Sequence, residues 1–514
     1  MRLVITLFFL QSIFVDAQTI RFIDISNNPV KDVYLEFSLN GKKEICSSNS
    51  AGVVFIDNKI NSKLKVKISH VKYHNLNTYI GQNDTVFVLK EKNIIIDEVV
   101  VTAQIKPTKL SETVQKVKVI TRKDIDNQAA NSLKDLLDKE MNMRLSYDNV
   151  LGSSVSIQGI SGQNVKILID GVPVIGRLNG DIDLSQINLN NISKVEIIEG
   201  PLSVDFGTDA LAGTINLITN KDSKNTFSSS YNLFYESVGN YNADLSLSYS
   251  LKNHYIGLDV GRKYFDGWSV NDDFTLFPIS EPADTNRTKS WNPKEQYFGK
   301  IQYKFNTNQN TYRIYYDIYD EKITNLGYPR LPYFESAFDD YYLTKRNNLG
   351  FDIDYNLNEF KKIKILSSYN DYKRIKNTYY KDLTTLEEIL TNSSSDQDTS
   401  RFNLFMNKLV FSSFSNELIN YQIGFDSKFE LAKGQRINNN QRSLGDHAIF
   451  LTSKWSPTNY FSLRPAFRFS YNSKFNVPII PSLNAIYKHN NYTLRFSYAK
   501  GFRSPSLKAG LKEK

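Results

Sequence analysis

Alternation of apolar and polar residues recurs through residues 222–514 and restricts the fold more than any other feature. In Asn242–Lys252, alanine, leucine and tyrosine side chains occupy one face of an extended chain, and aspartate, serine and lysine occupy the other. Gln296–Asn306 and Asn491–Ala499 repeat this pattern. About ten residues is the length of a strand that crosses a bilayer in a barrel, longer than most strands of a soluble sandwich need to be. The pattern therefore predicts antiparallel transmembrane β-strands.

Thirteen such strands are predicted, and the connections between them alternate in length. The connections near 265–295, 321–346, 372–399 and 431–446 are long, whereas those around Asn253, Asn306–Asn310, Asn356–Glu359, Ser456–Asn459 and His489-Asn490 are short. This parity is typical of barrels with short periplasmic turns and longer extracellular loops. The strands are predicted near 226–237, 242–252, 254–264, 296–306, 311–320, 347–356, 361–371, 400–412, 421–430, 447–456, 460–471, 481–488 and 491–499.

The N-terminus indicates export. Residues 1–17 hold one basic residue, a mostly apolar core from Leu3 to Val15, and small residues before a cleavage site after Ala17, which is the pattern of a secretory signal peptide. No later stretch is apolar for the ~18–20 residues that a transmembrane helix requires. An exported chain without such a helix can cross a membrane only as a closed barrel.

Composition narrows the remaining classes. The net charge of +9 comes from basic residues interspersed with acidic ones, and this pattern does not indicate a nucleic-acid partner. The single cysteine, Cys46, excludes an intramolecular disulfide framework. The 31 tyrosines and 32 phenylalanines are numerous for a polar chain, and aromatic girdles at membrane interfaces would account for them.

Two glycine-rich blocks precede the alternating region. Val155–Val174 is a strand–glycine–strand unit with an Asp-Gly hairpin signal, and Val195–Asn220 places glycine and proline turns between two β-branched strands. Together the blocks closely resemble the plug domain of TonB-dependent outer-membrane receptors. The residues of this plug motif are Asp170, Gly171, Glu196, Glu199, Gly200, Pro201, Gly207 and Gly213.

The resemblance implies a mainly β fold in successive parts. We expect a signal peptide at 1–17, a small N-terminal β-sandwich at 18–92, a TonB-box linker at 93–110, an α/β plug at 111–221 and an incomplete transmembrane antiparallel β-barrel at 222–514. Residues 18–92 resemble the carboxypeptidase-regulatory-like domain found ahead of many Bacteroidetes-type receptors. Plugged barrels of this kind have roughly 22 strands, so thirteen predict a C-terminally truncated receptor.

A short segment before the plug resembles the TonB box. In that family the box adds a strand to a TonB-like energy-transducing protein, through main-chain hydrogen bonds. An ordinary strand of the sandwich is the alternative interpretation. The coupling segment, as we call it, comprises Asp97, Glu98, Val99, Val100, Val101, Thr102 and Ala103.

Two positions depart from the family pattern. Many members carry arginine where this chain has Gln158 and Glu199, and those arginines are thought to pair with carboxylates of the barrel wall. Other contacts are therefore expected to hold this plug in its barrel.

The function that the resemblance implies is import. We expect a receptor of the cell outer membrane, with its N-terminal domain in the periplasm, that is in contact with outer-membrane lipid. It would bind a scarce extracellular ligand such as a ferric siderophore, cobalamin or haem and import it into the periplasm. Arg177 and Asn179, in the turn at the plug apex, are candidate ligand contacts. The sequence shows no catalytic, cofactor or metal constellation, so an enzyme is not expected. A non-transporting surface sensor or adhesin, or a non-functional truncated receptor, are the alternatives.

Overall fold

A computed structural model describes most of the chain, in two compact units bounded as Met1–Asp97 and Glu98–Lys514. The predicted signal peptide, Asp97, Arg177 and Asn179 lie outside the described residues. The described residues are 18–39, 42–56, 63–81, 86–91, 98–150, 152–176, 181–223, 225–269, 287–393, 395–414, 418–435, 437–490 and 492–502.

The N-terminal unit is a small β-sandwich. One sheet has the order β4-β1-β7 and the other β3-β2-β5-β6. Ile20 and Phe22 of the first sheet share a buried core with Leu35 and Phe37 of the second. Its relationship to carboxypeptidase-regulatory-like domains stays a prediction. The strands are β1 (Gln18–Asp24), β2 (Tyr34–Leu39), β3 (Lys42–Ser47), β4 (Val53–Ile56), β5 (Leu64–Ser69), β6 (Leu76–Ile80) and β7 (Val86–Leu89).

The second unit begins with a mixed α/β domain, residues 98–223, which we call the inner domain. Its strands are β8 (Val99–Val100), β9 (Thr108–Lys109), β10 (Val117–Thr121), β11 (Met143–Asp148), β12 (Gly152–Ile157), β13 (Ile160–Ser161), β14 (Val165–Ile169), β15 (Val172–Pro173), β16 (Ile192–Glu199) and β17 (Gly213–Thr219). Its helices are α1 (Arg122–Asn127), α2 (Leu133–Leu137) and α3 (Ser203–Phe206), with 3₁₀ turns at Leu110–Glu112, Gly162–Asn164 and Leu184–Gln186.

A five-stranded sheet organises the inner domain, in the order β10-β16-β17-β14-β15. The β-branched run of Val195–Asn220 forms its central pair, since β16 and β17 are antiparallel neighbours. Helix α2 begins at a capping box formed by Ser132 and Asp135, and buries Leu133, Leu136 and Leu137 against the sheet's core.

Most of the remaining residues form one large antiparallel sheet, the wall sheet. Thirteen long strands pair in chain order, as predicted, and the short strand β25 is added beside β24. A 3₁₀ turn, Asn438–Asn440, lies in one connection. The strands are β18 (Phe227–Glu236), β19 (Asn240–Leu251), β20 (His254–Phe265), β21 (Lys294–Asn306), β22 (Asn310–Asn325), β23 (Ser336–Asn358), β24 (Lys361–Asp382), β25 (Glu388–Leu390), β26 (Asp398–Ser413), β27 (Ile419–Gly434), β28 (Gln441–Thr458), β29 (Phe461–Asn472), β30 (Ile480–His489) and β31 (Tyr492–Ala499).

The wall sheet has one apolar outer face and one inner face that contacts the inner domain. Along β22, Ile314 and Ile318 are exposed, whereas Arg313, Tyr315 and Tyr319 are buried. Contacts to the inner domain come from β19 at one end of the sheet and from β31 at the other. The wall sheet therefore wraps around the inner domain. None of the helices in the described part of the chain is long and apolar enough to cross a membrane.

The predicted strand ends were wrong on the side of the long connections. Strands β23 and β24 have 23 and 22 residues, so they occupy much of the segments 321–346 and 372–399 that were predicted as loops. Pairing continues through them, for example between Phe338 and Tyr380. About ten residues suffice to cross a bilayer, so these strands extend beyond it.

Candidate functional site: the inner domain and the wall sheet around it

Residues Glu98–Ala103 of the coupling segment are docked on the rest of the inner domain. Val99 and Val100 pair antiparallel with Thr108 and Lys109, and the backbone N–H of Leu110 donates to the carbonyl oxygen of Glu98 at 2.6 Å. Val100 and Thr102 are buried. The chain then turns at Ala103, which has a left-handed φ of 54°. The segment is therefore a folded part of this structure.

A buried carboxylate forms hydrogen bonds with the backbone of the coupling segment. Glu196, on the central strand β16, is fully buried and accepts the backbone N–H groups of Val101 at 3.1 Å and Thr102 at 2.7 Å. Lys194 forms an ion pair with Glu196 at 2.8 Å and also donates to the carbonyl oxygen of Val99. A carboxylate that accepts two backbone N–H groups satisfies donors that a neighbouring strand would otherwise satisfy.

The Asp170-Gly171 pair forms the predicted hairpin turn. Both residues have positive φ, 51° and 85°, and they join β14 to its antiparallel neighbour β15. The Asp170 carboxylate accepts from the backbone and the hydroxyl of Thr219, and the backbone N–H of Gly171 donates to Asn216 Oδ1 at 3.1 Å. These bonds fix the turn against strand β17.

Asp170 also binds the turn to the wall sheet. Its carboxylate pairs with Arg313 of β22 at 2.9 Å and with Lys221 at 3.0 Å, and Arg313 pairs with Asp352 of β23 at 2.6 Å. Burial alone would raise the pKa of Asp170, but Lys221 and Arg313 lower that pKa far below its usual range. The turn is therefore held by a charged aspartate.

Two further carboxylates of the inner domain pair with basic residues of the wall. Asp183 lies 3.4 Å from Lys294 of β21, and Asp205 lies 3.3 Å from Arg464 of β29. Burial opposes ionisation of Asp183, but Lys294 and the backbone N–H of Ser153 lower its pKa. Asp183 also caps the short turn at Leu184–Gln186. These acids lie on the inner domain and the bases on the wall, the reverse of the arginine arrangement expected from the family.

Gln158 and Glu199 contact each other instead of the wall. Glu199 accepts from Gln158 at 3.1 Å, from Asn142 at 3.1 Å and from Lys116 at 2.8 Å. Burial would raise the pKa of Glu199, but these hydrogen bonds and the charge of Lys116 lower it. The two departures from the family pattern thus form a small cluster within the inner domain.

The glycines of the plug motif allow close approach. A side chain at Gly213 would place its Cβ 2.5 Å from the carbonyl oxygen of Ile198, and one at Gly207 would lie 3.0 Å from the Arg468 guanidinium. Gly200 and Pro201 follow β16 directly, and the N–H of Gly200 donates to the carbonyl oxygen of Ala212 at 3.0 Å.

Another side of the inner domain meets the wall through amides. Asn188 donates to Asp244 of β19 at 2.7 Å, Asn190 donates to Ser246 at 2.9 Å, and Asn191 donates to Asp259 of β20. A cavity of about 630 Å³ lies beside these contacts and is lined mainly by asparagine, serine and aspartate side chains.

Aromatic and basic side chains of the wall surround the chain that leads to the apex. The backbone of Gly176 packs on the ring of Tyr372, where a Cβ would meet ring carbons at 2.4 Å. The Arg346 guanidinium lies over the rings of Tyr319 and Tyr372, at 5.2 and 5.7 Å. Arg374 lies 5.1 Å from the Tyr342 ring. We call Tyr319, Tyr342, Arg346, Tyr372 and Arg374 the aromatic–basic cluster.

Part of this cluster is buried without full hydrogen bonding. Arg346 donates to Gln186 at 2.6 Å, and Arg374 donates to the carbonyl oxygen of Val150 at 2.7 Å. Within the described residues, the Tyr372 hydroxyl and the Arg346 Nε have no hydrogen-bond partner. Spare donors beside aromatic faces suit an anionic or electron-rich ligand.

The sequence predicted the Asp170-Gly171 turn and the coupling segment, but it did not predict the residues that connect them. Asn216 and the aromatic–basic cluster carried no signal, because an asparagine within a strand and a tyrosine within an alternating pattern are common in such chains. The charges on Asp183 and Asp205 were visible, but their wall partners are distant in sequence. Among the described residues, no group of three or more histidine, cysteine, aspartate or glutamate side chains is arranged to hold a metal ion.

Family models match two parts of the chain. Residues 109–214 match the model described as TonB-dependent Receptor Plug Domain, and residues 290–511 match the model described as TonB dependent receptor-like, beta-barrel. The first match falls within the inner domain and the second within the wall sheet and the residues after it.

Solved structures with a similar fold include three receptors. The siderophore receptor PirA from Acinetobacter baumannii is 17% identical with a TM-score of 0.59, over 76% of this chain and 61% of that one. A mutant of the ferric enterobactin receptor PfeA from Pseudomonas aeruginosa is 16% identical with a TM-score of 0.62, over 80% and 64%. FpvA of P. aeruginosa, bound to a heterologous pyoverdine and iron, is 14% identical with a TM-score of 0.59, over 86% and 66%. The chain thus spans less than two thirds of the length of each.

Proposed function

Because the chain belongs to the TonB-dependent receptor family, a family of outer-membrane proteins that bind small ligands and work with TonB, we propose that it imports a small anionic metal chelate of the ferric siderophore type. The aromatic–basic cluster is the observation that carries this proposal. Guanidinium groups pair with carboxylate or catecholate oxygens, and tyrosine rings offer faces for aromatic ligands. Such a set favours an anionic chelate over an uncharged ligand.

The coupling segment would supply the connection to energy. Asn216 bonds to both Thr102 of the coupling segment and Gly171 of the turn, and the chain that follows the turn contacts the aromatic–basic cluster at Gly176. In the proposed cycle, the chelate binds at the cluster, the inner domain loosens in the wall, and a TonB-like protein pulls the segment by strand addition. This sequence of events requires no covalent chemistry.

Uptake measurements test the proposal. The chain would be produced in cells that lack their own ferric-chelate receptors, and binding and uptake of a radioiron-labelled ferric catecholate would be measured. We expect uptake above the vector control. Val100→Pro should keep binding and lose uptake, because proline cannot donate to a strand ladder. Binding without any uptake above the Val100→Pro level would contradict import and indicate a sensor.

A matched pair of arginines tests the ligand class. Arg374→Ala should weaken binding roughly tenfold, as for the loss of one charge-assisted hydrogen bond. Arg401 faces the other side of the neighbouring strand and pairs with Asp371, so Arg401→Ala is the control and should bind normally. Equal binding by both variants would contradict the cluster as the binding site.

A further inference from the structure

Asn216 contacts both the Asp170-Gly171 turn and the coupling segment. Its Oδ1 accepts the backbone N–H of Gly171 at 3.1 Å, and its Nδ2 donates to the Thr102 hydroxyl at 2.8 Å. Gly171 offers a donor only, so this bond fixes the amide orientation and leaves the donor end facing Thr102. Asn216 is buried and therefore cannot exchange these partners for water.

Asn216 also stands directly across from the glutamate that holds the segment. Glu196 on β16 and Asn216 on β17 are paired residues of the central sheet. Glu196 holds the backbone of Val101 and Thr102, and Asn216 holds the side chain of Thr102. The side chains of Glu196 and Asn216 thus bind the coupling segment together, and we call this pair the seat of the segment.

While Glu196 and Asn216 bind the coupling segment, the segment cannot be added as a strand to a partner protein. A partner strand needs the backbone N–H groups of the segment, but those of Val101 and Thr102 are given to Glu196. Ala103 is held with a left-handed φ of 54°, a conformation that costs roughly 1 kcal/mol for a residue with a side chain. Once released, the segment would relax toward the extended form that strand addition requires.

We propose that Asn216 is a positioning residue that couples the Asp170-Gly171 turn to the coupling segment. Displacement of the turn removes the Gly171 N–H donor that orients the Asn216 amide, and the Thr102 bond is lost with it. The proposal rests on the proposed function for the meaning of release, but the coupling itself is a property of the unliganded chain. Because such coupling is reciprocal, loosening the segment at Thr102 must also loosen the turn.

Hydrogen exchange on the full chain in detergent micelles tests this directly. Thr102→Val removes the acceptor for Asn216 with little change of shape. We expect roughly three- to tenfold faster exchange in peptides covering 98–104, and also at the Gly171 amide, as for the loss of one buried hydrogen bond. Thr102→Ser keeps the hydroxyl and should restore both rates. Peptides from β22 should be unchanged in all variants.

Lys194→Ala is the matched control. Lys194 holds the segment through Val99 and Glu196 and does not touch Asn216. This variant should speed exchange at Val99 and Val100 and leave the Thr102 and Gly171 amides as in the parent. An unchanged Gly171 in Thr102→Val would overturn the proposal, as would faster exchange at Gly171 in Lys194→Ala while the Thr102 amide stays protected.

The readouts separate the two proposals because exchange requires neither ligand nor partner. If Thr102→Val loosens both ends and the parent chain takes up no chelate, the coupling stands and the proposed function fails. If uptake occurs and the Gly171 amide does not respond, the function stands and the coupling through Asn216 is wrong.

Discussion

The inner domain meets the wall sheet in two chemically different ways. The ionic contacts, which we call the ionic side, pair Asp183, Asp170 and Asp205 with Lys294, Arg313 and Arg464 of β21, β22 and β29, strands in two separate parts of the wall sheet. On the amide side, Asn188, Asn190 and Asn191 bond to polar groups of β19 and β20, next to the 630 Å³ cavity.

The difference shows which side holds more firmly. Removing one partner of a buried ion pair leaves an uncompensated charge and costs about 3–5 kcal/mol. A hydrogen bond between neutral groups contributes about 1 kcal/mol, and one to a charged group about 1.5–3 kcal/mol. We therefore expect the amide contacts, which lie beside the cavity, to break before the ionic contacts do.

The largest expected effect comes from Arg313→Met. This change leaves Asp170 buried with Lys221 as its remaining cation, and it also leaves Asp352 without its arginine. We expect the opening free energy of the inner domain to fall by about 3 kcal/mol. Hydrogen exchange of peptides from β14 and β17 in the full chain measures that free energy.

Asp170→Asn combined with Arg313→Met is the control, because it removes both charges of the pair. The double variant should recover most of the lost protection, since a neutral pair leaves less uncompensated charge. If the double variant is less protected than the single one, the loss comes from packing and the ionic side is not what holds the domain.

Acid should weaken the ionic side next. The pKa of Asp170 in the folded chain is depressed by Lys221 and Arg313, against about 3.9 when unfolded. A depressed folded pKa gives stability that is complete above the unfolded pKa and is lost as the pH falls toward the folded pKa. Protection should therefore be flat from pH 7 to about 5 and decline below about 4, by up to ~1.4 kcal/mol per pH unit.

Asp170→Asn should flatten this decline, and the test is exchange of the same peptides after correction for the intrinsic rate at each pH. Asp183 also has a lowered pKa, so part of the decline should persist. Glu199→Gln is the comparison within the domain, because Glu199 bonds to neighbours of the inner domain and not to the wall. If protection declined equally at low pH in Asp170→Asn and in the parent, Asp170 would not be the charged group on which the ionic side depends.

Patterns within a few residues predicted the turns, helices and strands, whereas ion pairs between residues far apart in the sequence were not predicted. The Asp170-Gly171 turn, the capped helix at Ser132 and the thirteen wall strands follow from signals within a few residues. The partners of Asp170 and Asp205 are Arg313 and Arg464, and only the closed arrangement of sheet and inner domain brings them together. The sequence shows which residues are charged but not which of them form ion pairs.

The seat of the coupling segment illustrates the same limit. Glu196 was predicted to belong to the plug motif, but no role was predicted for it. Asn216 is one polar residue in a β-branched strand, and no role was predicted for it either. Their roles arise from strand register, because β16 and β17 place them side by side under Thr102. The prediction that contacts other than the family arginines hold the inner domain was confirmed, with the charges reversed.

The smallest effects should come from the amide side. Asn188→Ala removes a bond to Asp244 and should lower the opening free energy by about 2 kcal/mol, and Asn190→Ala removes a bond to the hydroxyl of Ser246 and should cost about 1 kcal/mol. The difference follows from the charge on Asp244, since a buried carboxylate loses more with its donor than a hydroxyl does. Both losses, measured by exchange of peptides from α1 and β16, should be smaller than that of Arg313→Met. If Asn188→Ala loosened the inner domain as much as Arg313→Met, the two sides would hold equally and the cavity side could not open first.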